Sequence, residues 1–316
     1  MKYYNEILNQ ALQADFFFDL LKYDIFSKLD EWISAPEFAK KLGLTIEEAE
    51  LFLECLQLNN WLEVKNQQYR CKAELGQIYS RQSKFCLSST LLAQYRANRK
   101  RLGKFFEKLN PAEEIVQTEK TFKPEGGLDF RSFFERSRIE VELFRGPSLL
   151  EICQRYPLAP DAKILDLGGG CGALGEVLAD GKRELSLFDS PEVIAAVENP
   201  AFQQLIAGDF NRDSWGGPYD LILASGILDF VDFQSKKFFD QLSRALKPSA
   251  YVFFYWLSFD PELAGIKALR WLPERLSGRV LPDLKTVESA LEANGLKQCE
   301  IISDTLYPLA IYQKKA

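Results

Sequence analysis

Apolar positions in the first third of the chain recur at helical spacing. Ala11, Phe17, Phe18, Leu21, Ile25 and Leu29 mark the first such run. Ser34, with Glu37 three residues on and Pro36 in the first turn, is a helix-start signal, and Gly43 supplies the stop. Thr45, ahead of Glu47 and Glu48, opens a second helix through about Leu58, its apolar face carrying Ala49, Leu51, Phe52, Cys55 and Leu56. The stretch from Trp61 to Cys71 reads as two short strands around a turn containing Asn66. Helix, short helix, helix and hairpin together form a winged helix-turn-helix pattern. More helices are expected from about 83 to 150, with breaks near Pro111 and at Lys123-Pro124-Glu125-Gly126-Gly127.

The second half changes period. Short apolar runs at Ala162 to Asp166, Glu184 to Asp189, within Phe202 to Asp209, at Tyr219 to Ser225, at Ala250 to Trp256 and at Ala310 to Gln313 read as strands. Helical segments lie between them, notably Gly172 to Ala179 and Gln234 to Leu246. The alternation predicts an α/β fold, a Rossmann-like, doubly wound and mostly parallel sheet, preceded by a mostly α winged-helix domain. The expected division is 1–100 for the winged-helix domain, 101–150 for linking and substrate-contacting helices, and 151–316 for the sheet domain.

Composition narrows the function. The 316 residues are 47% hydrophobic and 27% charged, and 39 basic against 45 acidic residues give a net charge of −6. A broad electrostatic grip on nucleic acid is not expected. The presumed recognition helix agrees: Glu47, Glu48, Glu50 and Glu54 stand on it without a Lys or Arg. No apolar window of about 20 residues suggests a membrane span, and the N-terminus lacks the features of a signal peptide. Six scattered cysteines without a C-x-x-C pair, and no histidine, argue against a metal site and for reduced thiols in a cytoplasmic protein. The missing histidine also excludes Ser-His-Asp and Cys-His machinery and any imidazole base.

The chemistry concentrates at strand ends. The first strand of the sheet domain runs into Asp166-Leu167-Gly168-Gly169-Gly170-Cys171-Gly172. In a parallel sheet this turn lies where ligands bind, and Gly168, Gly170 and Gly172 permit tight turning and close approach to the backbone. Asp189 ends the second strand, 17 residues beyond Gly172, where a carboxylate can accept both hydroxyls of a ribose. Asp209 ends the third strand, where it can accept from an adenine amino group, with Phe210 beside it as an apolar face. These residues, with Leu187 to Ile194, Tyr219 to Leu228 (Ser225 among them) and Leu246-Lys247-Pro248, resemble class I S-adenosylmethionine-dependent methyltransferases. More narrowly, the whole chain resembles small-molecule O-methyltransferases with an N-terminal winged-helix dimerisation domain. The resemblance implies S-adenosylmethionine as cofactor: the methionine portion at the glycine turn, the ribose on Asp189, and the adenine on Asp209 and Phe210. It also implies a homodimer formed through the N-terminal domain rather than a DNA contact.

The resemblance breaks where the family carries a catalytic histidine after the fourth strand. This chain reads Ile227-Leu228-Asp229-Phe230; an ungapped count puts Asp229 at that position, whereas alignment on the following Asp and aromatic residue puts Leu228 there. Three roles for Asp229 stay open: a base, an orienting group, or a helix cap. Methyl transfer to an already reactive oxygen, nitrogen, carbon or sulfur needs positioning rather than a base, and a non-methylating relative that only binds the cofactor is a further reading. Phe130, Phe133 and Phe134 before the sheet domain, and Tyr255, Trp256 and Trp271 after the fifth strand, are candidates for an apolar pocket that takes a flat or aromatic substrate. Arg131, Arg138 and Arg145 are candidates to meet an acidic one.

Overall fold

The computed structural model describes residues 2–106, 130–233, 235–303 and 308–316. The expected helix breaks near Pro111 and at 123–127 lie outside the described residues. Two compact units emerge, and the division is not contiguous in the chain: residues 261–280 belong with the N-terminal unit.

The N-terminal unit begins with α1 (Lys2–Lys22), followed by β1 (Ile33–Ser34), α2 (Ala35–Leu42) and α3 (Ile46–Leu58). The cap signals in the sequence are realised. The Ser34 N–H donates to Glu37 Oε2 at 2.9 Å, and the Glu48 N–H donates to Thr45 Oγ1 at 3.1 Å while the Thr45 N–H donates to Glu48 Oε2 at 2.7 Å. Gly43 closes α2 in the left-handed region at φ 71°. The expected hairpin is β2 (Leu62–Lys65) with β3 (Gln68–Cys71), and β1 adds to it in the order β1-β3-β2. Helices α4 (Ala73–Tyr79) and α5 (Ser88–Phe106) follow.

The sheet unit opens with α6 (Phe130–Glu140), a π-helical turn at Val141–Arg145 and α7 (Gly146–Arg155). Then come β4 (Lys163–Leu167), α8 (Ala173–Glu176), β5 (Glu184–Asp189), α9 (Pro191–Ala196), β6 (Gln204–Ala207), β7 (Tyr219–Ser225), α10 (Lys237–Ala245) and β8 (Leu246–Tyr255). The chain leaves for α11 (Ala264–Leu276) and returns with α12 (Leu284–Ala293), β9 (Leu296–Ile302) and β10 (Leu309–Lys314). The seven-stranded sheet has the order β6-β5-β4-β7-β8-β10-β9. The first five of these run parallel; β10 pairs antiparallel with both β8 and β9. Continuous burial of Ile164 to Leu167 and Leu221 to Ala224 fits strands covered on both faces, which is why they read as unbroken apolar runs.

Sequence and structure differ in three places. The helix expected over Gly172 to Ala179 is a single α-turn, after which Leu178 and Ala179 bond three residues back, to Gly175 and Glu176. The seventh strand, β9, carries Lys297, Gln298 and Glu300 on a sheet edge, and such polar edges suppress the apolar signal. The third difference is α11, which packs on α3 within the N-terminal unit. Asn59 Nδ2 donates to the Gly265 carbonyl at 3.2 Å, Arg275 pairs with Glu54 at 2.6 Å, and Leu269 and Leu272 pack with Cys55.

Strand order sets the position of the site. From β4 the chain steps outward to β5 and β6, then returns to β7 on the other side of β4. The order reverses between β4 and β7, so their carboxyl ends part around a crevice.

Candidate cofactor and acceptor site

The glycine turn leaves β4 at that crevice. Gly168, Gly170 and Gly172 all have positive φ, 64°, 59° and 74°, a region that L side chains avoid. The Gly168 N–H donates to the Phe188 carbonyl at 2.7 Å, which fastens the turn to the end of β5. A Cβ on Gly168 would lie 2.4 Å from Ile227 Cγ2, so the turn abuts the segment that follows β7. The Phe133 ring lies over Gly170, 3.4 Å from where its Cβ would be.

Asp166 lies beneath the turn, 1% exposed. Its Oδ2 accepts from the Gly175 N–H at 2.9 Å, and its buried Oδ1 has no hydrogen-bond partner among the described residues. Burial pushes its carboxyl up to about 6, against the Gly175 bond and the Arg145 charge, which pull it down. Asp189 stands at the end of β5 as expected. Its Oδ2 accepts from the Gly170 N–H and its Oδ1 from the Ser190 N–H, at 2.8 and 2.7 Å. Burial holds this carboxyl above its ordinary range as well. Each of its oxygens retains acceptor capacity for a ligand hydroxyl.

A second group gathers at the ends of β7 and β8. Ser225 pairs in register with Tyr255. Arg145, delivered by the π-turn, donates through Nη1 to Ser225 Oγ at 2.8 Å and pairs with Glu140 at 3.6 Å. The Tyr255 hydroxyl is buried without a hydrogen-bond partner among the described residues, and burial raises its phenol far above the ordinary value, so it is a neutral donor. Asp229 sits on the short helical turn Leu228–Phe230, 8% exposed, and its Oδ1 accepts from the Trp256 indole N–H at 2.8 Å.

Other candidates stand elsewhere. Asp209 lies two residues past β6, half-exposed, accepting from the Asn211 N–H and paired with Arg212 at 3.4 Å. Phe210, partly buried, packs edge-on against Phe238 with ring centroids 6.0 Å apart, at the margin of the core of the sheet unit. Phe134 packs against Phe130 and Phe133, and its carbonyl accepts from Cys171 Sγ at 3.8 Å. Trp271 is carried by α11 in the N-terminal unit. The three arginines read as meeting an acidic substrate are engaged within the chain: Arg131 with Glu135, Arg138 with Glu176, and Arg145 with Glu140 and Ser225. Asn199 was not visible to sequence reasoning. Its Nδ2 donates to the Cys171 carbonyl and to Glu176 Oε2, tying the glycine turn to α8.

The acceptor groups gathered here fit a ligand that carries both cationic charge and hydroxyls. An orphaned buried carboxylate oxygen, a carboxylate clamped on the glycine turn and open space beside Gly226 provide that fit. Among the described residues no group of His, Cys, Asp and Glu could hold a metal ion, and no helix is long and apolar enough to cross a membrane.

Comparison with known proteins agrees with the fold. The methyltransferase-domain family matches residues 142–300. An O-methyltransferase family 2 protein from Planctomyces limnophilus, solved in complex with apigenin, is 17% identical over 98% of this chain and 95% of its own, with a TM-score of 0.64. A protein from Nostoc punctiforme assigned as an O-methyltransferase is 16% identical over 99% of both chains, with a TM-score of 0.50. None of the curated proteins matches the chain.

Proposed function

The chain belongs to the methyltransferase-domain family, and we propose that it transfers a methyl group from S-adenosylmethionine to a small, flat or aromatic acceptor, most simply at oxygen. The observation that carries this reading is the clamp of Asp189 on the glycine turn, directly beside the buried Asp166. Asp189 would hold the ribose hydroxyls, the Gly168 to Gly172 turn would admit the methionine portion against backbone, and the Asp166 charge would favour its cationic end. When bound, S-adenosylmethionine supplies a methyl group activated on a sulfonium, for displacement in line by the acceptor.

The chain's own part in that step is positioning and exclusion of water. Phe133 lies over Gly170, and the Ile227 side chain packs against Gly168. Asp229 faces the acceptor and accepts a hydrogen bond from its O–H or N–H. Against the helix-cap alternative, the next helix, α10, starts after Lys236 with no side-chain cap, and the Asp229 carboxylate is engaged by an indole. Carbon, nitrogen or sulfur acceptors remain the second reading, since positioning alone suffices for them. The apigenin complex of the Planctomyces protein, which shares this fold, supports a flat polyphenol-like acceptor for this chain; a homodimer through the N-terminal domain is part of the same proposal.

Incubation of the purified protein with methyl-labelled S-adenosylmethionine and a panel of flavonoids, catechols, hydroxyindoles and aryl amines is expected to yield a labelled product and S-adenosylhomocysteine in equal amounts. Release of neither, by a protein that binds S-adenosylhomocysteine, would leave a cofactor-binding relative that does not methylate.

A further inference from the structure

Two buried side chains face each other where an imidazole would be expected. Asp229 and Trp256 are 27 residues apart, on different elements, and 8% and 2% exposed. An indole N–H donates and never accepts, so Asp229 Oδ1 is held as an acceptor. Trp256 itself is fixed firmly: its backbone N–H donates to the Pro308 carbonyl at 2.9 Å, and its ring packs edge-on against Phe259 with centroids 5.4 Å apart. Its place at the end of β8 joins it to the core of the sheet unit. The anchor is therefore rigid, whereas Asp229 rides on a three-residue turn. That turn follows Ile227, the residue against which Gly168 packs. Asp229 thus stands two residues along the chain from the contact with the glycine turn.

A buried carboxylate is costly unless hydrogen-bonded, and a well-packed core would omit it. A donor-only partner aimed at it from a rigid strand end orients that carboxylate rather than relaying a proton.

We propose that Trp256 is a positioning residue. It is not a wall of the substrate pocket: its indole N–H aims the Asp229 carboxylate at the acceptor, and the pair selects acceptors that present an O–H or N–H donor. This inference rests on the methyltransferase reading. It narrows that reading to acceptors with a donor group and makes Asp229 an orienting group.

The test has two arms. The first needs no acceptor. With 15N-tryptophan labelling, five indole resonances are expected, and Trp256→Phe identifies one of them. Asp229→Asn is expected to move that resonance and leave the other four in place, while the control Asp232→Asn moves none. An indole resonance unmoved by Asp229→Asn overturns the pairing. The second arm uses the acceptors that the wild-type protein methylates in the panel above. Trp256→Phe is expected to lower kcat about tenfold with the affinity for S-adenosylhomocysteine unchanged, and Asp229→Asn about a hundredfold. The double variant is expected to be no slower than Asp229→Asn alone, because the indole acts through the carboxylate. Losses that multiply in the double variant, or a Trp256→Phe enzyme as fast as wild type, overturn the positioning role. A wild-type protein that binds S-adenosylhomocysteine and methylates nothing in the panel removes the methyl-transfer reading, while the indole resonance still decides the pairing.

Discussion

An alanine at position 172 is expected to cost the fold roughly 3 kcal/mol. Two independent penalties add at this residue. Gly172 has φ 74°, where an L side chain is strained by about 1–2 kcal/mol. Its Cβ would also lie 2.4 Å from Phe202 Cε2 and 2.8 Å from Cζ. The Phe202 ring cannot easily swing clear, since it is 8% exposed and its Cζ also lies against Gly175, where a Cβ would be 3.0 Å away. Overpacking of this kind costs about 1–3 kcal/mol. In thermal unfolding the variant should melt several degrees below wild type. Alanine at Gly181, which also has positive φ but meets nothing within 4 Å, should cost only the backbone part. Equal melting of the two variants would contradict the packing account of the turn.

Asp166→Asn is expected to stabilise the protein at neutral pH. The sign follows from proton binding. In the fold the Asp166 carboxyl keeps its proton up to about 6, against an ordinary value of 3.8. Between those values the folded state binds more protons than the unfolded chain, so stability falls as pH rises through this window. Above it, burying the charge costs about 3 kcal/mol, at 1.36 kcal/mol per unit. Asparagine removes that charge and still offers an oxygen to the Gly175 N–H. The variant should be more resistant to urea than wild type at pH 7.5, and the difference should vanish near pH 4. A gain that persists at pH 4, or no gain at pH 7.5, would contradict it. A buried charge kept at such a cost is expected of a residue that serves a ligand, so the same variant should bind S-adenosylhomocysteine more weakly.

Much of this was legible in the sequence because it is local. The caps at Ser34 and Thr45 depend on residues three apart, and the glycine turn and Asp189 occupy strand ends that apolar runs delimit. Contacts made by the folded chain were not legible. Arg145 meets Ser225 across 80 residues and Trp256 meets Asp229 across 27, and no periodicity encodes either. Trp271 illustrates the same limit. An amphipathic pattern says which face of α11 is buried, not that it packs back on α3 within the N-terminal unit. The polar edge strand β9 was hidden because its side chains satisfy solvent rather than a core.

The central claim is that the Asp189-clamped glycine turn is the S-adenosylmethionine site. Calorimetric titration with S-adenosylhomocysteine tests it most directly. The wild-type protein is expected to bind with a Kd on the order of micromolar. Asp189→Ala, titrated at a temperature where it is fully folded, should bind at least about tenfold more weakly, as loss of hydrogen bonds to a charged acceptor requires. No binding by the wild-type protein, or equal affinity in the variant, would contradict the account.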